Sequence, residues 1–263
     1  VSAFQLLTVD IRDHIACVTM NRPPVNALNN KLAKELTGAF LDLKNDPEVR
    51  AVVITSSRKV FVAGADISMM KGITETRDLG EMLDFGRRLQ FANSILEDMP
   101  KPTIAVINGH SMGGGTELAL FCDFRFIEET ATIGLPEINL GLLPGAGGIQ
   151  KIVRLIGRTK ALRLMLQGKA LSAQEALSLG LVEDVCSADN LMDSAMELAR
   201  DFAQRAPVAV AEIKKCVNAA LELERDSSLL YDVRGLGELF VTRDAGEGLK
   251  AFLEKRSPMF KGF

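Results

Sequence analysis

The chain alternates between short unbroken apolar runs and longer stretches whose apolar residues recur three and four positions apart. The first period fits strands and the second fits amphipathic helices. Near the start, Leu6–Val9 and Ile15–Met20 flank a polar turn at Arg12-Asp13-His14 and predict a hairpin. Asn21-Arg22-Pro23-Pro24 breaks the second strand, because proline cannot continue a ladder. A helix is expected from Asn29 or Asn30, with Leu32, Leu36, Phe40 and Leu43 on one face and a stop at Asn45-Asp46-Pro47. Ala51–Thr55 is apolar almost throughout and predicts a strand buried on both faces. Strand, helix and strand in this order imply a layered α/β domain.

Residues 59–66 read as a short strand running into a small-residue turn, Ala63-Gly64-Ala65, with Asp66 placed as a helix cap. Thr74–Gly80 is polar and reads as a mobile connection. From Glu81 onward Met82, Phe85, Leu89, Ala92, Leu96 and Met99 form one helical face, ended by Pro100. That stripe is too short for a coiled-coil seam and is read as core packing. Beyond Gly148, helices are expected up to Gly157, Gly168 and Gly180, the last one opened by a Ser172/Glu175 capping box. Leu181–Cys186 reads as a final strand. The remainder is expected to be all-helical, with a second capping-box pattern at Asp244 and Glu247. The chain therefore divides on sequence into an α/β core over 1–187 and a helical region over 188–263, the latter suited to an oligomer interface.

The chemistry concentrates between Lys101 and Gly148. An apolar strand, Thr103–Ile107, leads through Asn108-Gly109 to three glycines, Gly113–Gly115, and then to a short apolar helix, Thr116–Cys122. Glu117 stands in the first turn of that helix among apolar neighbours. Glu137 follows Pro136 and precedes the glycine-rich stretch Pro144–Gly148. Either glutamate alone is explained by helix-dipole compensation. Two carboxylates beside glycine-lined backbone, with free N–H groups at a helix start, point instead to acid–base chemistry next to a developing negative charge. Gly109-His110-Ser111-Met112-Gly113 matches the G-x-S-x-G nucleophile elbow. The chain holds only two histidines, His14 and His110, and none follows Ser111, so a serine-hydrolase triad is rejected.

Composition narrows the classes. The 263 residues suffice for a large core, and 47% apolar with 25% charged residues is ordinary for a globular protein. A net charge of −3 argues against nucleic acid or an anionic membrane surface as a partner, and no apolar run reaches spanning length. Cys17, Cys122, Cys186 and Cys216 are widely spaced and read as small buried thiols, without a metal site or disulfide framework. No secretion signal is visible, so a cytoplasmic location is expected, or the mitochondrial matrix if a transit peptide has been removed.

Four separated segments, NRPPVNAL at 21–28, FVAGADI at 61–67, NGHSMGGGTELAL at 108–120 and LPEINLGLLPGAGG at 135–148, together with the closing AFLEKRSPMF, resemble the crotonase superfamily and most of all its enoyl-CoA hydratases. The likeness covers nearly the whole chain in order and spacing. It implies a crotonase-like α/β fold, a spiral of ββα repeats with a C-terminal helical trimerisation region, and assembly as a homotrimer or as a homohexamer formed by two trimers. It implies an acyl-CoA thioester substrate and no separate cofactor, CoA being part of the substrate. By the same resemblance, Ala65 and Gly114 match the two oxyanion-hole N–H positions, and Glu117 and Glu137 the catalytic pair, with water activation given to Glu117 and proton transfer at C2 to Glu137. Gly145 matches a water-orienting glycine. Ala63, Asp66, Ile67 and Ser68 match the segment along the substrate, and Lys255 a C-terminal lysine that reaches CoA. Ser68 departs from the lysine common in the family, with Lys71 as a substitute. Keeping both glutamates favours hydration over isomerisation and over a non-catalytic acyl-CoA-binding role. Branched-chain and dienoyl-CoA hydratases remain alternatives within the fold.

Overall fold

A computed structural model describes residues 4–263. β1 (Leu7–Arg12) and β2 (Ile15–Met20) pair antiparallel, with Arg12 opposite Ile15. The two residues between them, Asp13 and His14, have φ of 50° and 65°. Two successive left-handed residues form the turn whose twist matches that of the strands. α1 (Asn30–Asn45) is capped by Asn29, whose side chain accepts the Leu32 N–H, and it buries Leu32, Leu36, Phe40 and Leu43 as expected.

The next segments repeat one theme. β3 (Ala51–Ser56) and β4 (Val60–Val62) lead to α2 (Ile67–Thr76) and α3 (Leu79–Glu97). β5 (Thr103–Ile107) and β6 (His110–Met112) lead to α4 (Gly114–Phe121). β7 (Phe124–Glu128) and β8 (Thr132–Gly134) lead to a 3₁₀ turn, Glu137–Leu140, then α5 (Gly148–Ile156) and α6 (Arg158–Gln167). Each pair sends its first strand to one sheet and its second to another, which makes a spiral of ββα turns. β9 (Leu171–Ser172), α7 (Ala173–Ser178) and β10 (Asp184–Cys186) complete the sheets. The larger sheet has the order β1-β2-β3-β5-β7-β10, and the smaller β4-β6-β8-β9. Apart from β1/β2 and β8/β9, the pairings are parallel.

Successive residues of the central strands face opposite ways. Val52, Ile54, Ala105 and Ile107 join the main core under α1 and α3, while Ala51, Val53, Ile104 and Val106 face the other side. That second face is covered by α8 (Leu191–Ala203), through Leu191, Ala195, Ala199 and Ala203. The boundary expected at 187/188 falls just before α8, which lies on the sheet. α9 (Pro207–Glu222), α10 (Arg225–Phe240) and α11 (Arg243–Leu253) follow, so the all-helical ending is as read. Their outward sides leave Ile213, Val217, Leu221, Val233, Leu236 and Phe240 exposed.

Several expectations are corrected. Residues 74–80 are not an irregular connection. α2 runs to Thr76, Arg77 turns left-handed as its C-cap, and Asp78 caps α3 by accepting the Glu81 N–H. Between the expected turn at Asn108-Gly109 and the three glycines lies a short strand, β6, that was not expected. Asp244 and Glu247 form no capping box: Thr242 caps α11 by accepting the Ala245 N–H. Buried Asp244 instead accepts the N–H groups of Lys261 and Gly262, at 2.8 and 2.7 Å, and Glu247 pairs with Arg256. Of the four thiols, all free, Cys122 and Cys186 are buried and Cys17 and Cys216 only half-buried. The Ser172/Glu175 capping box is present. Among the described residues, no helix is long and apolar enough to cross a membrane.

Candidate active site

Two backbone segments meet at the centre of the spiral. One leaves β4 through Ala63, Gly64 and Ala65. It is pinned by Leu28, whose N–H donates to the Gly64 carbonyl at 2.7 Å and whose carbonyl accepts the Asp66 N–H at 2.8 Å. Both bonds of this bridge pass through the neighbours of Ala65, so the Ala65 N–H is directed away from Leu28. The other segment leaves β6 through Gly113, at φ 52°, and enters α4 at Gly114. The first N–H groups of α4 have no partner within the helix. The segments nearly touch, since a Cβ on Gly64 would lie 3.2 Å from the Met112 carbonyl oxygen. Neither the Ala65 nor the Gly114 N–H is used in a backbone hydrogen bond among the described residues, and the helix start at Gly114 favours negative charge.

Glu117, one turn into α4, is 2% exposed. Its Oε1 accepts two N–H bonds, from Ala146 and Gly148, both at 2.8 Å. Its other oxygen faces the helix start: a Cβ on Gly114 would sit 3.9 Å from Oε2. Burial pushes the Glu117 carboxyl up to about 7, and the charge of Glu137 adds to the rise, while the two N–H donors oppose it. Glu137 opens the 3₁₀ turn after Pro136 and is half-buried. A Cβ on Gly113 would come within 3.0 Å of Glu137 Oε1. Glu137 Oε2 is buried and has no hydrogen-bond partner among the described residues. Burial raises this carboxyl as well. Both carboxylates therefore converge on the N-terminus of α4, with raised proton affinities and one unspent oxygen each.

The remaining expected residues divide. Gly145 is exposed beside this pair, in the loop that also provides Ala146 and Gly148. Ala63, Ile67 and Ser68 are exposed on the rim of the Ala65 segment. Asp66 faces structure instead of ligand: it caps α2 by accepting the N–H groups of Ser68 and Met69 and pairs with Arg22 at 2.6 Å. The Arg22 bond holds the Asp66 carboxyl below its usual range. Arg22 also donates to the Ala27 carbonyl at 2.6 Å, so that its bond to Asp66 ties 22–28 to the Ala65 segment. Lys71 pairs with Glu75 on the surface of α2. Lys255 is exposed in a left-handed turn after α11, and no hydrogen bond or ion pair ties it to 63–68 within one chain. Ser111 is no nucleophile. It is fully buried inside β6, its hydroxyl has no partner among the described residues, and His110 points to Thr132 at 2.9 Å.

A family model described as enoyl-CoA hydratase/isomerase matches residues 10–262. The chain belongs to the enoyl-CoA hydratase/isomerase family. It is 40% identical over 259 residues, 98% of both chains, to the probable enoyl-CoA hydratase echA8 of Mycobacterium tuberculosis. It is 40% identical over 246 residues, 92% of both chains, to the short-chain-enoyl-CoA hydratase of Clostridium acetobutylicum. A crystal structure of an enoyl-CoA hydratase from Geobacillus kaustophilus superposes with a TM-score of 0.95 at 36% identity, over 100% of this chain and 98% of that one. Membership makes the protein an enzyme of the hydratase/isomerase type on the crotonase fold. Sequence reasoning did not identify Ala146 and Gly148 as the donors that hold Glu117. The signal was present in the glycine run 144–148, but the chain distance from Glu117 hid the partner.

Proposed function

We propose that the protein is an enoyl-CoA hydratase, adding water across the conjugated double bond of a trans-2-enoyl-CoA to give a 3-hydroxyacyl-CoA. The observation that carries this reading is the pair of carboxylates, Glu117 and Glu137, converging on the N-terminus of α4, each with one oxygen unspent. Addition of water oxygen at C3 moves electron density onto the thioester oxygen. The N–H groups of Ala65 and Gly114 receive that charge, and such donors contribute about 3 kcal/mol each when they act mainly on the transition state. Ionised Glu117, held through Oε1 by two N–H bonds, takes the water proton on Oε2. Glu137 transfers a proton to C2 from its acid form, which burial favours. Gly145 offers its N–H to the attacking water. Glu117 then holds the proton taken from water and Glu137 has given one to carbon, and return of a proton from Glu117 to Glu137 restores the starting state, so the balance needs no further cofactor.

The rim residues Ala63, Ile67 and Ser68 line the path of the substrate in this reading, while Asp66 fixes the loop. The exposed apolar residues of α9–α11 suit assembly into a trimer or a pair of trimers, in which Lys255 reaches CoA held by a neighbouring copy. Steady-state hydration of a panel of trans-2-enoyl-CoAs tests the function and ranks chain lengths. Glu117→Gln and Glu137→Gln should each bind acyl-CoA and lose at least about 10²-fold in turnover. Near-wild-type turnover in either variant overturns the two-carboxylate mechanism.

A further inference from the structure

The loop that holds Glu117 is itself held from α3. Gln90 Nε2 donates to the Gly145 carbonyl at 2.8 Å, and Asn93 Nδ2 donates to the Ala146 carbonyl at 3.0 Å. The two side chains are three residues apart and so share one face of the helix. The Gly145 carbonyl and the Ala146 N–H belong to one peptide group. Gln90, that peptide and Glu117 Oε1 therefore form a continuous hydrogen-bonded chain. Asn93, which is buried, fixes the next peptide, and the Gly148 N–H comes immediately after it. Donation into a carbonyl polarises the N–H of the same amide and strengthens the bond that it makes.

We propose that Gln90 and Asn93 form an amide clamp, a pair of positioning residues that aim the N–H groups of Ala146 and Gly148 at Glu117 and so leave its second oxygen free to act as base. This rests on the reading of Glu117 as the water-activating base. Neither residue lies in the segments that carry the family resemblance, and α3 contributes no other polar contact to that loop among the described residues. The alternative is that both amides merely fasten the loop to the helix. The electrostatic setting separates these roles. The charge that acts on Glu117 is that of Glu137, from the 3₁₀ turn. On the helices packed against α4, Glu97 of α3 and Lys151 of α5 pair with each other. Glu81, Asp84, Arg87 and Arg88 of α3, Arg154 of α5 and His110 of β6 are exposed. A change in the Glu117 titration on altering the uncharged amides is then a change in the N–H bonds.

The test uses Gln90→Leu, Asn93→Leu and the double variant, which keep bulk and remove the donors. The pH profile of kcat/KM with a short trans-2-enoyl-CoA is measured, together with the infrared titration of the Glu117 carboxyl, taken as the difference from Glu117→Gln. The double variant is expected to lose about tenfold or more in kcat, with KM changed less than about threefold, because CoA and thioester contacts stay in place. Its acidic limb and its carboxyl titration should both move to higher pH, since weaker N–H donation favours the neutral acid. Unchanged kcat and an unchanged titration in a folded double variant overturn the clamp. A rise in KM with an unshifted titration also overturns it and leaves only loop fastening. Were the wild-type protein inactive on every enoyl-CoA, the hydratase reading would fail, and the infrared titration alone would still decide the clamp.

Discussion

Gly148 and Glu117 are in contact along two lines at once. The Gly148 N–H donates to Glu117 Oε1 at 2.8 Å, and a Cβ on Gly148 would lie 2.6 Å from Glu117 Cγ. The backbone can approach this carboxylate only because no side chain intervenes. Gly148 opens α5, where alanine suits the helix, so Gly148→Ala should fold. The added methyl must displace Glu117 from its donors. A shift of this kind is expected to cost on the order of 10²-fold in kcat. Turnover within about twofold of wild type, with circular dichroism unchanged, would show that the contact carries no catalytic requirement.

The raised carboxyl of Glu117 makes stability depend on pH with a definite sign. The folded protein holds this proton up to about 7, against an ordinary value of 4.5. Between those values the folded state binds more protons than the unfolded chain, so this group's contribution to stability falls as pH rises. Above about 7 the full cost of a buried charge is present. Glu117→Gln removes the ionisation and retains an oxygen for the Ala146 and Gly148 donors. Its stability relative to wild type should therefore grow between about pH 5 and about pH 8, by up to about 3 kcal/mol. Denaturant unfolding at both pH values measures the difference. A constant offset would mean that Glu117 titrates normally.

The sequence was legible where a local pattern specifies the element. Asn29, one of the two caps expected there, and Ser172 cap their helices, and the stripe through Phe85, Leu89, Ala92 and Leu96 is the buried face of α3. Three-residue strands carry no period, and β6, between the Asn108-Gly109 turn and the three glycines, was given no element. The polar stretch 74–80 hid two helix ends, with Asp78 as a cap in plain view. Glu247 fitted a capping pattern but pairs with Arg256 nine residues on. Glu117 and Glu137 were visible because ionisable residues among glycines and apolar neighbours require an explanation. Their convergence rests on contacts between loops far apart in the chain. The same is true of Ala146, Gly148, Gln90 and Asn93, which no local pattern distinguishes from ordinary loop and helix residues.

Ser111 offers a control. Its hydroxyl is buried in β6 without a partner among the described residues, although the motif around it resembles a nucleophile elbow. An unpaired buried hydroxyl costs free energy, so Ser111→Ala is expected to be neutral or to stabilise by up to about 1 kcal/mol, with full hydration activity. Melting temperature and turnover measure both. Covalent labelling of Ser111 by a serine-directed fluorophosphonate, or loss of activity in the variant, would return the hydroxyl to the chemistry.

Gly114 and Leu28 provide the most discriminating test of the oxyanion assignment. A Cβ on Gly114 would lie 2.7 Å from Leu28 Cδ1, and Leu28 is the residue that bridges to Ala65. A methyl at 114 therefore presses on Leu28 and, if the proposed oxyanion reading holds, also crowds the thioester. Alanine is a good helix former, so Gly114→Ala should keep its fold. Turnover is expected to fall by roughly 10²-fold, with affinity for unacylated CoA little changed. The flexible end of Leu28 can be shortened. Leu28→Val removes the δ-carbons that the new methyl meets, at a stability cost of about 1 kcal/mol. If the damage travels through Leu28 to Ala65, the double variant should regain about tenfold of the lost turnover, a non-additivity that residues in contact commonly show. If the loss comes only from crowding at the thioester, the two changes will add, and Leu28 will have no part in aiming the Ala65 N–H. A collapse of unacylated CoA binding in Gly114→Ala would sink the oxyanion role itself, since the nucleotide has no reason to feel that N–H.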